Sequence, residues 1–124
     1  MGKGGFKELK VWHKSKELAV RIYRVTGESS LAKDFGLKDQ MRRAAVSISS
    51  NIAEGDERNA DKDSIRFFSI AKGSLAELVT QIEIAHEVGY LSEPDMNSLE
   101  EECLNVGKML GSLIKARKAK VSCE

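Results

Sequence analysis

The sequence has little proline, few cysteines and no long hydrophobic run, and each shortage excludes a class of protein. One proline in 124 residues, with few glycines outside the ends of segments, favours long helices over many short strands. Cys103 and Cys123 form neither a disulfide framework nor a CxxC metal pair, so we interpret them as thiols of a reducing compartment. No apolar run approaches the roughly 18 residues of a membrane span, and no signal peptide is apparent. We therefore expect a cytoplasmic protein.

Motifs of catalysis and metal binding are also missing. The sequence has no glycine-rich phosphate loop and no nucleophile motif. His13 and His86 fall in different helical segments, without the spacing of a zinc or di-metal site. We therefore predict that the protein is not an enzyme and that it needs no metal or cofactor. An enzyme with an unrecognised site is the least favoured alternative.

What the sequence does contain is four amphipathic segments. Apolar residues recur at intervals of three and four over residues 7–26, 37–54, 62–88 and 93–117, which is the spacing of helices that bury one face. Short polar connections join them, in which Gly55 and Gly89 are expected to end the second and third helices, and Asp61 and Ser92 to cap the third and fourth. This pattern predicts an all-α protein, an antiparallel up-down-up-down four-helix bundle over residues 7–117. Residues 1–6 are expected to be a flexible lead-in, and residues 118–124 a frayed tail.

Positive charge is concentrated at the two ends of the sequence, although the formal net charge is only +1. In an antiparallel bundle the start of the first helix lies beside the end of the fourth, so these cations are expected to form one basic strip. The candidate phosphate contacts are Lys3, Lys7, Lys10, Lys14, Lys16, Lys115, Arg117, Lys118 and Lys120. Binding through them would be sequence-tolerant and would weaken steeply with salt. The acidic residues between positions 54 and 63 belong to the same end of the bundle, and their negative charge opposes this interpretation.

A stripe of small and charged polar residues runs beside the apolar face of the second segment, and a similar stripe follows the third. Its members are Arg43, Ser47, Asn51 and Glu54 on the second segment and Ser74, Glu77 and Gln81 on the third. Because the segments are antiparallel, Arg43 is expected to meet Glu77 or Gln81. We interpret the stripe as a hydrogen-bonded network that fixes register within or between subunits. A ligand or nucleic-acid contact is the alternative.

The first segment carries more apolar surface than one core stripe requires. Trp12 and Tyr23 lie next to the stripe that contains Leu18 and Ile22. A four-helix core needs one apolar stripe from each helix, so the surplus indicates a surface that contacts a partner. Stacking of nucleobases on the two aromatic rings is the alternative.

Four stretches of the sequence carry a family resemblance: residues 6–12, 35–55, 66–78 and 89–91. The most specific is Phe-Gly-Leu-Lys-Asp-Gln-Met-Arg-Arg-Ala-Ala-Val-Ser-Ile-Ser-Ser-Asn-Ile-Ala-Glu-Gly over residues 35–55. Together they resemble the bacterial four-helix-bundle family encoded in intervening sequences of large-subunit ribosomal RNA genes. The chain is also similar to the accessory variability-determinant proteins of diversity-generating retroelements, which are basic and work with a reverse transcriptase and nucleic acid. Ser49 departs from the family, which often has proline there.

The resemblance implies a four-helix bundle that assembles as a homopentamer. We therefore expect a non-enzymatic homo-oligomer that acts as a scaffold or as an accessory to RNA or DNA. The alternative is a protein–protein adaptor whose basic ends only keep it soluble. Binding of structured RNA over a range of salt concentrations distinguishes the two.

Overall fold

The computed structural model describes residues 5–123, which form four α-helices connected by short turns. The helices are α1 (Lys10–Thr26), α2 (Phe35–Asp56), α3 (Asp61–Glu87) and α4 (Glu93–Cys123), and 3-10 turns occupy Gly5–Glu8 and Ser29–Lys33. No strand occurs in this part of the chain. Each helix packs on its neighbour in sequence, and α1 also packs on α4. The result is the predicted antiparallel up-down-up-down four-helix bundle.

The core lies along the bundle axis and contains one apolar stripe from every helix. Its largest fully buried side chains are Leu18, Ile22, Leu31, Met41, Ile48, Ile52, Phe68, Leu78, Ile82, Leu99, Val106 and Leu110. Each such side chain contributes about 1.5–3 kcal/mol through removal from water. The spacing of three and four residues that predicted the helices is therefore also the spacing of the core.

Side chains and one glycine fix where the helices begin and end. A carboxylate oxygen of Asp34 accepts a hydrogen bond from the backbone N–H of Leu37 at 3.1 Å, and this cap starts α2 at Phe35, earlier than the predicted Leu37. The Ser92 hydroxyl accepts from the N–H of Asp95 at 3.2 Å, as expected of the residue that caps α4. Gly89 has a φ of +89°, which favours glycine and ends α3.

Three predicted boundaries differ from the structure. Helix α1 begins at Lys10 instead of Lys7, because Gly5–Glu8 forms a 3-10 turn that sets the Phe6 ring 5.1 Å from the Trp12 ring. Helix α4 continues to Cys123, past the expected end at Arg117. Asp61 does not cap α3 as predicted, since it is the first residue of the helix and its carboxylate pairs with α4 instead.

Gly55, expected to stop α2, has a packing role instead. The helix continues to Asp56, and Gly55 itself is buried. A β-carbon at this position would lie 2.5 Å from Cε1 and 2.7 Å from Cδ1 of the Phe68 ring, which is fully buried. The absence of a side chain therefore lets α2 approach α3 at the end of the bundle where the two helices are joined.

Candidate nucleic-acid and assembly surfaces

Exposed lysines of α1 and α4 lie side by side on one face of the bundle. Lys14 of α1 and Lys108 of α4 line the same shallow groove. Lys10 precedes Lys14 by four residues and Lys115 follows Lys108 by seven, so each lies on the same stripe as its neighbour. We call these four residues the basic face. Lys108 was missed in the sequence because it stands apart from the terminal clusters, yet its position seven residues before Lys115 was a usable signal.

The other predicted phosphate contacts fall into three groups. Lys7, Lys118 and Lys120 are exposed at the same end of the bundle. Lys16 is exposed, but its ammonium lies 4.9 Å from the Trp12 ring centre and it lines a groove between α1 and α2. Lys3 lies outside the described residues.

Arg117 does not belong with these free cations. Its guanidinium lies 3.0 Å from the Asp56 carboxylate and 3.6 Å from that of Asp61, and its side chain is 17% exposed. It also lies 5.4 Å from the centre of the Phe68 ring. Arg117 therefore joins α4 to the turn between α2 and α3, and its assignment as a phosphate contact is corrected.

The same ion pairs reduce the acidic character of this end of the bundle. Arg117 pairs with both Asp56 and Asp61 and so offsets one of their two negative charges, and Glu54 pairs with Arg58 at 2.9 Å. Glu102 lies in the groove of the basic face but pairs with Arg21. Within residues 5–123, the four lysines of the basic face form no ion pair of their own. Their positive charge is therefore available to an anionic partner.

The polar stripe of α2 and α3 is in part a hydrogen-bonded contact between the two helices. The hydroxyls of Ser47 and Ser74 lie 2.9 Å apart, and Ser74 is buried. The Asn51 side-chain amide donates to the Ser47 carbonyl at 2.8 Å and to its hydroxyl at 3.0 Å. These short side chains let α2 and α3 pack closely while every polar group named here has a partner.

The charged members of the stripe do not join this contact. Arg43 and Glu77 are both exposed, and no ion pair joins them in the part of the chain that the structure describes. The predicted Arg43–Glu77 pair is therefore wrong within one subunit. Gln81 is buried on α3, and its side-chain oxygen has no hydrogen-bond partner.

Arg42, beside Arg43, has the defined structural role. Its Nε donates to the Thr26 hydroxyl at 2.8 Å and its Nη2 donates to the Tyr23 carbonyl at 3.1 Å. Its guanidinium also lies 4.4 Å from the centre of the Tyr23 ring. Arg42 thereby satisfies one carbonyl near the C-terminus of α1, where a cation also complements the helix dipole.

Exposed apolar side chains occur on several parts of the bundle, and two of the grooves that they line lie on the α1/α2 and α3/α4 sides. On the α1/α2 side, Val20, Tyr23 and Val46 line one groove and are 44%, 45% and 40% exposed. On the α3/α4 side, a groove of about 900 Å³ is lined mainly by apolar and small side chains. Leu104 lies in this second groove and is 58% exposed. The surplus of apolar residues on α1 is therefore located, and a matching surplus on α4 was not seen in the sequence.

Glu100 is the charged group with the most distinctive surroundings on the α3/α4 side. One of its carboxylate oxygens is buried without a hydrogen-bond partner. The neighbouring Glu83 carboxyl raises the pKa of Glu100, first by hydrogen bonding to its protonated form, and burial adds to the effect.

His13, His86 and the thiol of Cys103 have ordinary structural surroundings. His13 donates to the Lys7 carbonyl at 2.6 Å, and His86 donates to the Leu91 carbonyl at 2.9 Å. Burial raises the pKa of the Cys103 thiol to about 12, and Glu102 and Glu100 add to the shift. Across residues 5–123 no cluster of three potential metal ligands occurs. None of the described helices is long and apolar enough to cross a bilayer.

The fold and these surfaces define a class of protein: an antiparallel four-helix bundle with a basic face and two exposed apolar surfaces. The family model for 23S rRNA-intervening sequence proteins matches residues 7–112, and the chain belongs to that family. It is similar to a crystal structure of a protein of unknown function from the S23 ribosomal protein family of Bacteroides thetaiotaomicron VPI-5482. That likeness has 29% sequence identity and a TM-score of 0.78, over 85% of this chain and 98% of the other. No curated protein matches the chain.

Proposed function

We propose that this protein is a non-enzymatic homo-oligomer, a pentamer in its complete form, that binds structured RNA or DNA in the cytoplasm as a scaffold or accessory. The basic face carries the proposal. Lys10, Lys14, Lys108 and Lys115 are exposed, lie together and have no ion pair in residues 5–123. Four lysines on one face suit the phosphates of a nucleic-acid backbone, which they contact without reading the bases.

Assembly explains how a protomer with a net charge of only +1 can bind a polyanion. A single basic face gives weak, nonspecific attraction. An oligomer presents one copy of the face for each subunit, and the copies bind one strand or duplex together, so the overall affinity exceeds that of any single contact. The apolar surfaces exposed on the α1/α2 and α3/α4 sides support the oligomer, because contact with other subunits would remove them from water. The resemblance to retroelement accessory proteins is consistent with a nucleic-acid partner.

The experiment is a salt titration of binding to a labelled RNA hairpin and to a DNA duplex. If the four lysines contact phosphates, the logarithm of the binding constant should fall linearly with the logarithm of salt concentration. The slope should be on the order of −3 for each bound protomer. The variant Lys10→Gln/Lys14→Gln should lose much of the affinity and flatten the slope. Because these residues are exposed, its thermal unfolding should stay close to that of the wild type.

A matched control replaces lysines outside the basic face. Lys33 and Lys62 are exposed on other parts of the bundle, and Lys33→Gln/Lys62→Gln should change affinity much less. No retardation of RNA or DNA at low salt by the wild-type protein would instead favour a protein–protein adaptor. Equal losses in the two variants would show that binding follows overall charge and would contradict an assignment to the basic face.

A further inference from the structure

The two exposed apolar surfaces lie on opposite sides of the same bundle. Each helix packs on its neighbour in sequence and α1 packs on α4, so the helices occupy the corners of a square in chain order. The α1/α2 surface is centred on Val20, Tyr23 and Val46, and the α3/α4 groove contains Leu104. Two different sides of one subunit can therefore each contact a different neighbour, as a head-to-tail assembly requires.

The α1/α2 surface and the α3/α4 groove lie at the same level along the bundle axis. Contacts that set the register are Arg42 with Tyr23, Ser47 with Ser74, Leu75 with the position of a Gly107 β-carbon, and Arg21 with Glu102. When these pairs are followed from helix to helix, Tyr23 falls within about one helical turn, roughly 5 Å, of the level of Leu104. A second copy placed alongside with its axis parallel would bring one surface against the other.

The side chains of the two surfaces also differ in size. The α1/α2 surface presents a Tyr23 ring that is 45% exposed. The α3/α4 groove is open because small residues line it, including Ala76, Thr80 and Gly107. A β-carbon at Gly107 would lie 3.3 Å from Leu75, so the floor of the groove is close-packed while its mouth stays open. An aromatic side chain entering an apolar groove is a common anchor of protein interfaces.

The charges on the two surfaces favour contact between unlike surfaces over contact between like surfaces. The α3/α4 groove has Glu100 and Glu101 in its lining, with Lys72 and Lys108 at its borders. Between these two lysines, residues 73–107 contain no lysine or arginine and eight acidic residues: Glu77, Glu83, Glu87, Glu93, Asp95, Glu100, Glu101 and Glu102. At the same level on the opposite side, Arg24 and Arg43 are exposed. Two α1/α2 surfaces would bring these arginines together, and two α3/α4 surfaces would bring the glutamates together. Contact between unlike surfaces pairs opposite charges.

We infer that the α1/α2 surface of one copy docks into the α3/α4 groove of a second copy, with Tyr23 against Leu104 and with Arg24 and Arg43 facing Glu100 and Glu101. This inference rests on the proposed homo-oligomer and specifies its interface. The contact is head-to-tail, so it leaves one unused surface at each end of every pair. A rotation between successive subunits then closes the assembly into a ring.

The α2/α3 and α4/α1 sides remain free in such a ring. The basic face is repeated once per subunit around such a ring, with Lys10 and Lys14 on the α1 helix, while its Lys108 also borders the α3/α4 groove. Among the described residues Arg43 and Glu77 form no ion pair, and Arg43, which is exposed beside the α1/α2 surface, is available for a contact between subunits.

The test uses two variants that each block one surface, Tyr23→Asp and Leu104→Asp. Each should weaken self-association by about 30-fold or more, as loss of an interface anchor does, and should sediment as a monomer of 13.7 kDa. A mixture of equal amounts still contains one intact surface on each variant. Titrated up to the solubility limit, the mixture should form a dimer that contains one chain of each variant, and native mass spectrometry identifies its composition.

Both substitutions are at exposed positions, so the helical circular dichroism and thermal unfolding of the isolated chains should be preserved. If either variant fails to fold, the charge variants Arg24→Glu and Glu101→Arg replace it. Each should reduce the assembled fraction, and the double variant should recover it because the pair is restored with its signs exchanged.

The outcomes separate the interface from the oligomer. A wild-type protein that is monomeric at every concentration overturns the proposed homo-oligomer and this interface together. If the wild type assembles and both variants have the same mass in solution as the wild type, the proposed interface is wrong but the homo-oligomer stands. A Leu104→Asp protein that still dimerises while Tyr23→Asp does not would show that two α1/α2 surfaces meet, which contradicts head-to-tail docking. A mixture that stays monomeric also contradicts it.

Discussion

The substitution Gly55→Ala places a methyl group where the structure has no room for one. The new β-carbon would lie 2.5 Å and 2.7 Å from two carbons of the Phe68 ring and 3.1 Å from the Ser64 carbonyl oxygen. The ring is fully buried, and the Arg117 guanidinium lies 5.4 Å from its centre. Neither neighbour can move freely, so α2 and α3 must separate or the ring must leave its position.

The magnitude follows from two opposing effects. Overpacking of a close-packed core costs about 1–3 kcal/mol, whereas replacing glycine by alanine inside a helix gains up to about 1 kcal/mol. Gly55 is next to the last residue of α2, where this gain is small. The expected result is a loss of about 1–2 kcal/mol in the free energy of unfolding, which corresponds to a fall in Tm of roughly 3–8 °C for a chain of this size.

A matched substitution should have the opposite sign. Gly73 lies inside α3, and a β-carbon there would meet no atom within 4 Å. Gly73→Ala should therefore raise stability by about 0.5–1 kcal/mol through helix propensity alone. Urea unfolding of both variants, followed by circular dichroism, measures the difference. A Gly55→Ala protein as stable as the wild type would refute the packing role that we assign to this glycine.

Three further predictions concern charged and titratable groups. Arg117→Ala should lower the free energy of unfolding by about 2–3 kcal/mol, because it leaves the largely buried Asp56 carboxylate without its cation, and Arg117→Lys should lower it less; both are measured by urea unfolding. With Cys123 replaced by serine, the remaining thiol should react with a thiol reagent at pH 8 far more slowly in the folded protein than in urea, since burial raises the pKa of Cys103 to about 12. Glu83→Gln should raise Tm at pH 7.5 and have less effect at pH 4. The raised pKa of Glu100 means that the wild type gains stability below the ordinary carboxyl pKa and loses it as pH rises through the folded value. An equal change at both pH values would contradict repulsion between the two carboxylates.

The sequence predicts the fold well because one periodic pattern sets both helix and core. The apolar stripes, the Ser92 cap and the glycine at the end of α3 are local signals, and each is where the pattern indicates. The bundle order follows from short connections, which leave antiparallel neighbours as the simple arrangement. Helix ends were predicted less accurately, because Asp34 was not recognised as the cap that starts α2.

Contacts between residues on different helices could not be predicted from the sequence, because they depend on how the helices are aligned. Arg117 looks like one more cation in a basic run, and its pairing with Asp56 depends on how far α4 extends past the turn between α2 and α3. The polar stripe predicts a contact between α2 and α3, but Ser47 and Ser74 make it while Arg43 points to solvent. Lys108 joins the basic face only once the register of α4 against α1 is known.

The most direct test of the account is the mass of the purified wild-type protein in solution at physiological salt. Sedimentation velocity with native mass spectrometry measures it over a range of concentrations. We predict a single assembly of five chains, five times 13.7 kDa or about 69 kDa, that dissociates on dilution. A species of 13.7 kDa at all concentrations would contradict the homo-oligomer on which both the shared basic face and the head-to-tail contact depend.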